Sequence, residues 1–218
     1  MDVDLLNKAS AFLTPIANHY SHRLETYGAS PQGVFWRNAE GQTLRFELLI
    51  GIFRPEDDAG GITVNDLGCG YGAFFDFLKD HPAMKEGRFY GYDMCEDMTA
   101  LARGRIADPR ASFEHALTAT HRGDYSFVSG TFNMNMDIGE ADWLDYIKAS
   151  LTHLWSATDK GLAFNMLDRK ESTRLPRQQG LYYADAETFI RFCKQTLSSD
   201  VELIDSDPLR EWTIYVRR

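Results

Sequence analysis

The spacing of apolar residues changes about sixty positions along the chain. Before that point apolar side chains recur every three or four positions, as in "LLNKASAFLTPIANHYSHRLETYG", which predicts a helix. We expect this helix to be interrupted at Pro15 and to end at Gly28, because proline lacks an amide hydrogen and glycine tolerates the left-handed conformation of a helix end. A second helix is predicted over residues 42–53, where leucines and isoleucines continue one apolar stripe.

Further along, short apolar runs alternate with helical stretches. Seven strands are predicted, over residues 62–66, 88–93, 111–115, 124–129, 161–167, 201–205 and 211–217. Helices are predicted between most of them, over residues 73–80, 96–105, 140–157 and 185–197. Such alternation is typical of a parallel sheet covered by helices on both faces. Only "SDPLR" joins the last two strands, which is too short for a parallel crossover, so we expect these strands to pair antiparallel.

The predicted fold is therefore α/β, a doubly wound, mostly parallel seven-stranded sheet with an antiparallel last strand. We assign residues 59–218 to this sheet domain and residues 1–58 to an N-terminal helical cap. The cap contains aromatic residues and arginines, but too little apolar periodicity for a core of its own. We expect it to fold over the carboxyl edge of the sheet, where ligands of such sheets bind.

Charge and cysteine content narrow the classes of function. The chain of 218 residues has a formal net charge of −9, and an acidic surface repels the phosphate backbone of nucleic acid. No apolar run has the length of a membrane span, and the start "MDVDLL" has no signal-peptide pattern. The three separated cysteines, Cys69, Cys95 and Cys193, fit neither a disulfide framework nor a zinc motif. We expect a reduced cytoplasmic protein that binds no metal, nucleic acid or membrane.

The stretch "TVNDLGCGYGAFFDFL" passes from a strand pattern to a helix pattern through three glycines, Gly68, Gly70 and Gly72. Glycine lets the backbone approach a ligand closely, because no Cβ is in the way. With Ala73 in the last place, the loop matches the dinucleotide pattern G-x-G-x-x-G/A, which predicts a nicotinamide or flavin cofactor. Asp66, two residues before Gly68, favours a second interpretation, because a carboxylate suits a cationic ligand better than a pyrophosphate.

"NDLGCGYG" resembles motif I of the class I methyltransferases that use S-adenosylmethionine (SAM). The resemblance covers residues 60–218, and the antiparallel last strand fits the fold of that family. Three further stretches resemble small bacterial-type methyltransferases: "HYSHRLETYGASPQGVFWRNAEGQTLRFELL", "SGTFNMN" and "LYYADAETFIRFCK". The resemblance implies SAM as the cofactor and methyl transfer as the reaction.

The resemblance also implies roles for individual residues. Asp93, at the end of the second strand, would accept hydrogen bonds from the ribose hydroxyls, and Met94 would pack on the adenine with Met98 nearby. Many family members bind the adenine amine through Asp or Asn after the third strand; here Ala116 and Leu117 stand there, so backbone groups must supply that contact. The candidate cofactor-binding residues are Tyr20, Trp36, Arg45, Asp66, Gly68, Gly70, Tyr71, Gly72, Asp93, Met94, Met98, Leu117, Ser129 and Gly130.

The cap supplies three of these candidates. Tyr20 and Trp36 are aromatic residues of the kind that close over a cofactor, although Trp36 could equally anchor the cap to the core. Arg45 could grip the carboxylate of the methionyl group in a bidentate contact. It could equally be a solvated charge on the face of its helix.

The end of the fourth strand, "DYSFVSGTFNM", decides between acceptor classes. It lacks the [DN]-P-P-[YF] pattern of adenine and glutamine methylases and the Pro-Cys pair of pyrimidine methylases, and no carboxylates are spaced for the magnesium of catechol-type enzymes. These absences favour O- or N-methylation of a small molecule by a monomer or homodimer. Two alternatives stay open: a SAM-binding protein without catalysis, and an NAD(P)-dependent oxidoreductase.

No catalytic residue is assigned from the sequence. Thr131, Asn133 and Asn135 could orient a substrate, and the possible bases are three histidines, His19, His22 and His153. The loop 168–184 after the fifth strand has the length of a functional lid. Its basic residues Arg169, Lys170, Arg174 and Arg177, with Lys160 just before the loop, suggest either an anionic substrate or a solvated lid, and Tyr182 and Tyr183 would pack the lid against the cap.

Overall fold

A seven-stranded sheet organises the structure, a computed structural model that describes residues 3–136, 138–170 and 178–218. The strands are β1 (Thr63–Leu67), β2 (Arg88–Asp93), β3 (Ala111–His115), β4 (Gly123–Ser129), β5 (Thr158–Leu167), β6 (Asp200–Asp205) and β7 (Glu211–Arg217). Their order across the sheet is β3-β2-β1-β4-β5-β7-β6. β7 is antiparallel to both neighbours and the other six strands run in one direction, which confirms the predicted fold.

Six α-helices accompany the strands in the described parts of the chain. They are α1 (Val3–Tyr27), α2 (Ala39–Ile50), α3 (Ala73–Leu78), α4 (Glu96–Arg105), α5 (Glu140–Ser156) and α6 (Ala186–Thr196). Side chains cap α2 and α6: Asn38 accepts from Gly41 N–H at the start of α2, and Asp185 accepts from Thr188 N–H at the start of α6. A short 3-10 turn, Pro31–Val34, is capped in the same way by Ser30.

The predicted interruption of the first helix at Pro15 is wrong. α1 continues through Pro15 and ends at Tyr27, where Gly28 takes a φ of 61° and its N–H donates to Leu24 O over 2.7 Å. A proline inside a helix costs about 3 kcal/mol. The flanking Leu13 and Ile16 are each only 2% exposed, and their burial in the core offsets that cost.

Both faces of the sheet are packed. One face carries Leu13 of α1 together with Trp143 of α5 and Phe189 of α6. The other face carries Phe46 of α2 together with Phe74 of α3. The predicted cap therefore has no separate core, because its helices bury their apolar residues in the two cores of the sheet.

The hairpin β6–β7 confirms the antiparallel pairing inferred from the short "SDPLR" connection.

Among the residues that the structure describes, no helix is long and apolar enough to cross a membrane.

Candidate cofactor and acceptor site

A cavity of about 280 Å³ lies at the carboxyl edge of the sheet, above the ends of β1, β2 and β4. Its wall includes every candidate cofactor-binding residue except Gly72. Gly72 instead packs below the loop, where a Cβ would lie 2.5 Å from Ile106 Cδ1 and 3.1 Å from Phe113 Cζ. Its absence of a side chain therefore serves the packing of the loop.

The glycine loop needs its glycines for conformation and for space. Gly68, Gly70 and Gly72 all have positive φ, of 81°, 52° and 85°. A Cβ on Gly68 would collide with the Thr131 hydroxyl. The N–H groups of Gly68 and Cys69 both donate to Tyr92 O, over 2.7 and 3.0 Å, so β2 fixes the start of the loop.

Asp93 ties the end of β2 to this loop. Its Oδ2 accepts from Gly70 N–H and its Oδ1 accepts from Cys95 N–H, each over 2.8 Å. Burial raises the pKa of Asp93, although these hydrogen bonds oppose the shift. Each carboxyl oxygen has a second lone pair, so the group can also accept from two hydroxyls of a ligand.

Asp66 lies on the cavity wall and is 2% exposed. Burial, and then the charge of Asp93, raise the pKa of Asp66 to about 8. From the sequence, Asp66 is expected to be a carboxylate. In the free protein it is therefore a protonated acid at neutral pH, and a cationic ligand would draw the proton off.

Apolar side chains line the cavity beyond Asp93. Met94 and Leu117 lie on its wall, with Leu13 and Ile16 of α1 opposite. Met98 is 1% exposed and packs with Tyr71 and Cys95, as well as lining the cavity.

The turn between α1 and α2 enters the cavity as an aromatic pair. Phe35 has a φ of 63° and lies against His19, with ring centroids 5.0 Å apart, and against Tyr20, at 5.2 Å. Trp36, the next residue, donates its N–H to Pro31 O over 2.8 Å and lines the cavity.

Arg45 is not a solvated charge, so that alternative is wrong. Its Nε donates to Glu211 Oε2 over 2.9 Å and its Nη2 donates to Glu211 Oε1 over 2.8 Å. The two side chains are 11% and 1% exposed, and both line the cavity. Burial raises the pKa of Glu211, against the opposing effect of Arg45. The sequence offered no signal for Glu211, because its partner stands 166 positions away.

Two asparagines and a threonine hold the segment that follows β4. Thr131 Oγ1 donates to Leu67 O over 2.9 Å, and Asn133 Oδ1 accepts from Leu167 N–H over 3.0 Å. Asn165 of β5 completes the arrangement, because its Oδ1 accepts from Gly130 N–H over 2.7 Å.

Of the three predicted substrate-orienting residues, Thr131 and Asn133 line the cavity. Asn135 does not, and its Nδ2 donates to Ile138 O over 3.2 Å. Asn165 was missed in the sequence, where it looks like an ordinary polar residue inside an apolar strand.

None of the three candidate histidine bases lines the cavity. His19 is exposed and stacks on Phe35, and the His22 side chain is 80% exposed beside Glu25. His153 lies within 3.4 Å of Ala119 O. The structure therefore supports none of them as the group that takes a proton from a substrate.

The predicted lid is only partly described. Tyr182 is buried and donates its N–H to Asn133 O over 2.8 Å, while Arg174 and Arg177 lie outside the described residues. Lys160, which precedes the loop in the sequence, lies far from the cavity. It stands near the start of β5, at the opposite edge of the sheet, where its Nζ lies 2.7 Å from Asp57 Oδ1.

Solved structures with a similar fold indicate the class of protein. Human N-acetylserotonin methyltransferase, solved with SAM, aligns over 96% of this chain and 59% of its own, with a TM-score of 0.65 and 14% identity. The magnesium protoporphyrin IX methyltransferase ChlM of Synechocystis PCC 6803, also solved with SAM, aligns over 82% of this chain and 80% of its own, with a TM-score of 0.59 and 14% identity. The DhpI–SAH complex aligns over 92% of this chain and 94% of its own, at a TM-score of 0.61 and 17% identity. The sheet is thus the Rossmann-like sheet of class I methyltransferases.

Sequence similarity gives the family. The chain is 35% identical over 161 residues to "Putative methyltransferase Rv1506c" of Mycobacterium tuberculosis, a match that covers 73% of this chain and 95% of that protein. No profile of a known protein family matches the sequence. The chain belongs to the class I SAM-dependent methyltransferase family and is a methyltransferase, which leaves the oxidoreductase alternative without support.

Proposed function

We propose that this protein binds SAM in the cavity at the carboxyl edge and transfers its methyl group to an oxygen or nitrogen atom of a small molecule in the cytoplasm. The observation that carries the proposal is that one cavity brings these groups together. Asp93 and the glycine loop line it. Gly130 and Trp36, which touch each other at the end of β4, line it as well. The SAM- and SAH-bound structures with the same fold support this choice of cofactor.

The donor set fits the chemistry of SAM. Asp93 would accept from the ribose hydroxyls, since its second lone pairs are available. Met94 and Leu117 offer an apolar surface for the adenine. Asp66 would pair with the ammonium group. Arg45 uses three of its five N–H groups, two on Glu211 and one on Gly41 O, so two N–H groups can meet the carboxylate. The remaining candidates on the cavity wall would complete the contacts: Tyr20, Trp36, Gly68, Gly70, Tyr71, Met98, Ser129 and Gly130.

When bound, the cofactor supplies a methyl carbon activated by a positively charged sulfur. An acceptor oxygen or nitrogen would bond to that carbon as the carbon–sulfur bond breaks, with the electron pair left on sulfur and the acceptor's proton passing to water. The protein contributes position and exclusion of water. Thr131 and Asn133 hold the segment after β4 against β1 and β5, so the wall facing the acceptor is fixed before binding.

The acceptor side of the cavity favours a small molecule with a mostly apolar body. Phe35, Met134, Leu167 and Leu181 line it, and Gln178 adds a polar group. A pocket with apolar walls and few polar groups is typical of small-molecule sites. The acidic chain, with its net charge of −9, argues against nucleic acid as the acceptor.

Thermal denaturation tests the cofactor. SAM and S-adenosylhomocysteine should raise the melting temperature, because a ligand that binds only the folded state stabilises it by mass action. NAD and NADP should leave it unchanged. Incubation of a metabolite extract with methyl-labelled SAM then tests transfer, and stabilisation by a nicotinamide cofactor alone would overturn the proposal.

Asp93→Ala should weaken SAM binding by about 1.5–3 kcal/mol, the range for a hydrogen bond to a charged group. Asp108→Ala is the matched control, because Asp108 pairs with Arg110 outside the cavity wall. Calorimetry measures both affinities, and circular dichroism checks the fold. An unchanged affinity in Asp93→Ala would place the ribose elsewhere.

A further inference from the structure

The turn that carries Trp36 is attached to the rest of the protein from both sides. On the α1 side, Arg23 Nε donates to Gln32 O over 2.8 Å, and its guanidinium carbon lies 4.6 Å from the centre of the Phe35 ring. On the α2 side, the guanidinium carbon of Arg45 lies 4.0 Å from the centre of the Trp36 ring. The turn is therefore held in place independently of any ligand.

The backbone of this turn is strained where it delivers Trp36. Phe35 has a φ of 63° and a ψ of 14°, in the left-handed region that bulky residues avoid. Such a residue persists only where surrounding contacts enforce it, and strained residues of this kind cluster at functional sites. Here the strain turns the chain so that the indole points onto the end of β4.

At the end of β4 the indole packs directly on Gly130. A Cβ on Gly130 would collide with Trp36 Cη2 and Cζ2, so the six-membered ring lies directly on this glycine. Glu211 lies behind Arg45, and its two oxygens fix the orientation of the guanidinium. A continuous set of contacts thus runs from β7 through α2 to the turn and on to the end of β4.

We propose that Trp36 is a specificity-determining wall at the transfer end of the cavity, and that the Arg45–Glu211 pair is the positioning element that holds it there. The inference rests on the proposed function, in that the sulfonium end of the cofactor lies at the end of β4. The wall limits the size of the group on the sulfonium: the space beside Gly130 admits a methyl group and excludes larger alkyl groups. In a close-packed wall, extra carbon atoms force neighbouring groups out of place.

The test compares two defined donors by calorimetry, SAM and its analogue with an allyl group in place of the methyl group. In the wild type, the allyl analogue should bind roughly tenfold more weakly than SAM, the usual effect of overpacking a tight site. In Trp36→Ala the two dissociation constants should agree within about threefold, because the wall is gone. An unchanged ratio in Trp36→Ala would overturn the inference.

Two further variants test the positioning element. Glu211→Gln removes the charge that orients Arg45, and Arg45→Lys keeps a charge but loses the flat guanidinium that stacks on the indole. Each variant should lower the ratio of the dissociation constant of the allyl analogue to that of SAM by about threefold or more, because a displaced wall discriminates less between the two donors. The matched control is Asp57→Asn. This change breaks the salt bridge between the buried Asp57 and Lys160, which lies away from the cavity wall.

The ratio in Asp57→Asn should equal that of the wild type. A loss of discrimination there as large as in Glu211→Gln would assign the effect to general destabilisation and would overturn the positioning role. Absence of SAM binding to the wild type would overturn the proposed function and this inference with it. SAM binding with a ratio insensitive to Trp36 would overturn this inference alone.

Discussion

At the scale of single residues, two acidic groups on neighbouring strands dominate the cavity wall. Asp66 near the end of β1 and Asp93 at the end of β2 both have raised pKa values, because burial disfavours the charged form. Asp93 gains compensating N–H donors from Gly70 and Cys95. Asp66 instead has the charge of Asp93 nearby, and its pKa rises to about 8.

If SAM binds beside Asp66 as proposed, its binding should release a proton at neutral pH. Free Asp66 with a pKa of about 8 is mostly protonated at pH 7, and a cationic ligand stabilises the carboxylate, so binding should release most of that proton. The affinity should rise as pH increases towards 8, because fewer molecules must then lose a proton first. Calorimetry in buffers of different ionisation enthalpy measures the release.

Asp66→Asn is the control for this prediction, because asparagine is nearly isosteric and cannot titrate. The variant should release no proton on binding, and its affinity should not rise with pH in that range. Equal proton release by Asp66→Asn and the wild type would assign the titration to another group.

The sequence allowed prediction of residues that act within one short segment of the chain. The glycine loop and Asp93 could be recognised because their roles depend on position within a strand–turn–helix unit. Glu211 and Asn165 could not, because each acts through a partner on another element: Arg45 for the first and Gly130 for the second. Their chemistry is evident only after the sheet has brought those elements together.

At the scale of elements, α1 both closes the cavity and contributes to the core. Leu13 and Ile16 line the cavity wall and are also buried in the cluster that includes Trp143. Periodicity predicted the helix correctly, but local rules misjudged Pro15, because tertiary packing outweighed the cost of the missing hydrogen bond. α1 therefore contributes to the core and also faces the cavity.

Leu13→Ala should accordingly affect both stability and binding. We expect a loss of about 2–5 kcal/mol in the free energy of unfolding, typical of a buried leucine, together with weaker SAM binding. Leu203→Ala is the matched control, because Leu203 is 46% exposed and its loss should change stability by less than about 0.5 kcal/mol. Urea denaturation measures the free energy of unfolding of both variants. An equal loss in the two variants would contradict the packing of α1.

At the scale of the whole molecule, the two edges of the sheet have different tasks. The carboxyl edge carries the cavity, whereas the opposite edge carries a compact polar cluster around Asp57. There Asp57 is 3% exposed, accepts from the Tyr125 hydroxyl and pairs with Lys160. Burial raises the pKa of Asp57, but hydrogen bonds from Lys160 and Tyr125 outweigh that effect, so the pKa lies below its ordinary value.

Asp57→Asn should therefore destabilise the protein without changing SAM affinity. The loss should be roughly 1.5–3 kcal/mol near neutral pH, the scale for a hydrogen bond to a charged group, because Lys160 is 33% exposed and keeps Asp124 as a second partner. Because the folded pKa of Asp57 is lowered, the wild-type advantage is fully present above the unfolded pKa of about 4 and is lost as pH falls through the folded value. Thermal unfolding of both proteins between pH 7 and pH 2 measures this convergence, and a constant difference over that range would contradict it.

The position of β7 in the sheet has a consequence for biosynthesis. β7 lies between β5 and β6, although it follows both along the chain, and its first residue is Glu211, the partner of Arg45. While the ribosome is still adding residues before β7, the emerging polypeptide has an unpaired edge at β5 and one wall missing from its cavity. The wall of the cavity that Arg45 and Glu211 form together can therefore be completed only after β7 has been translated.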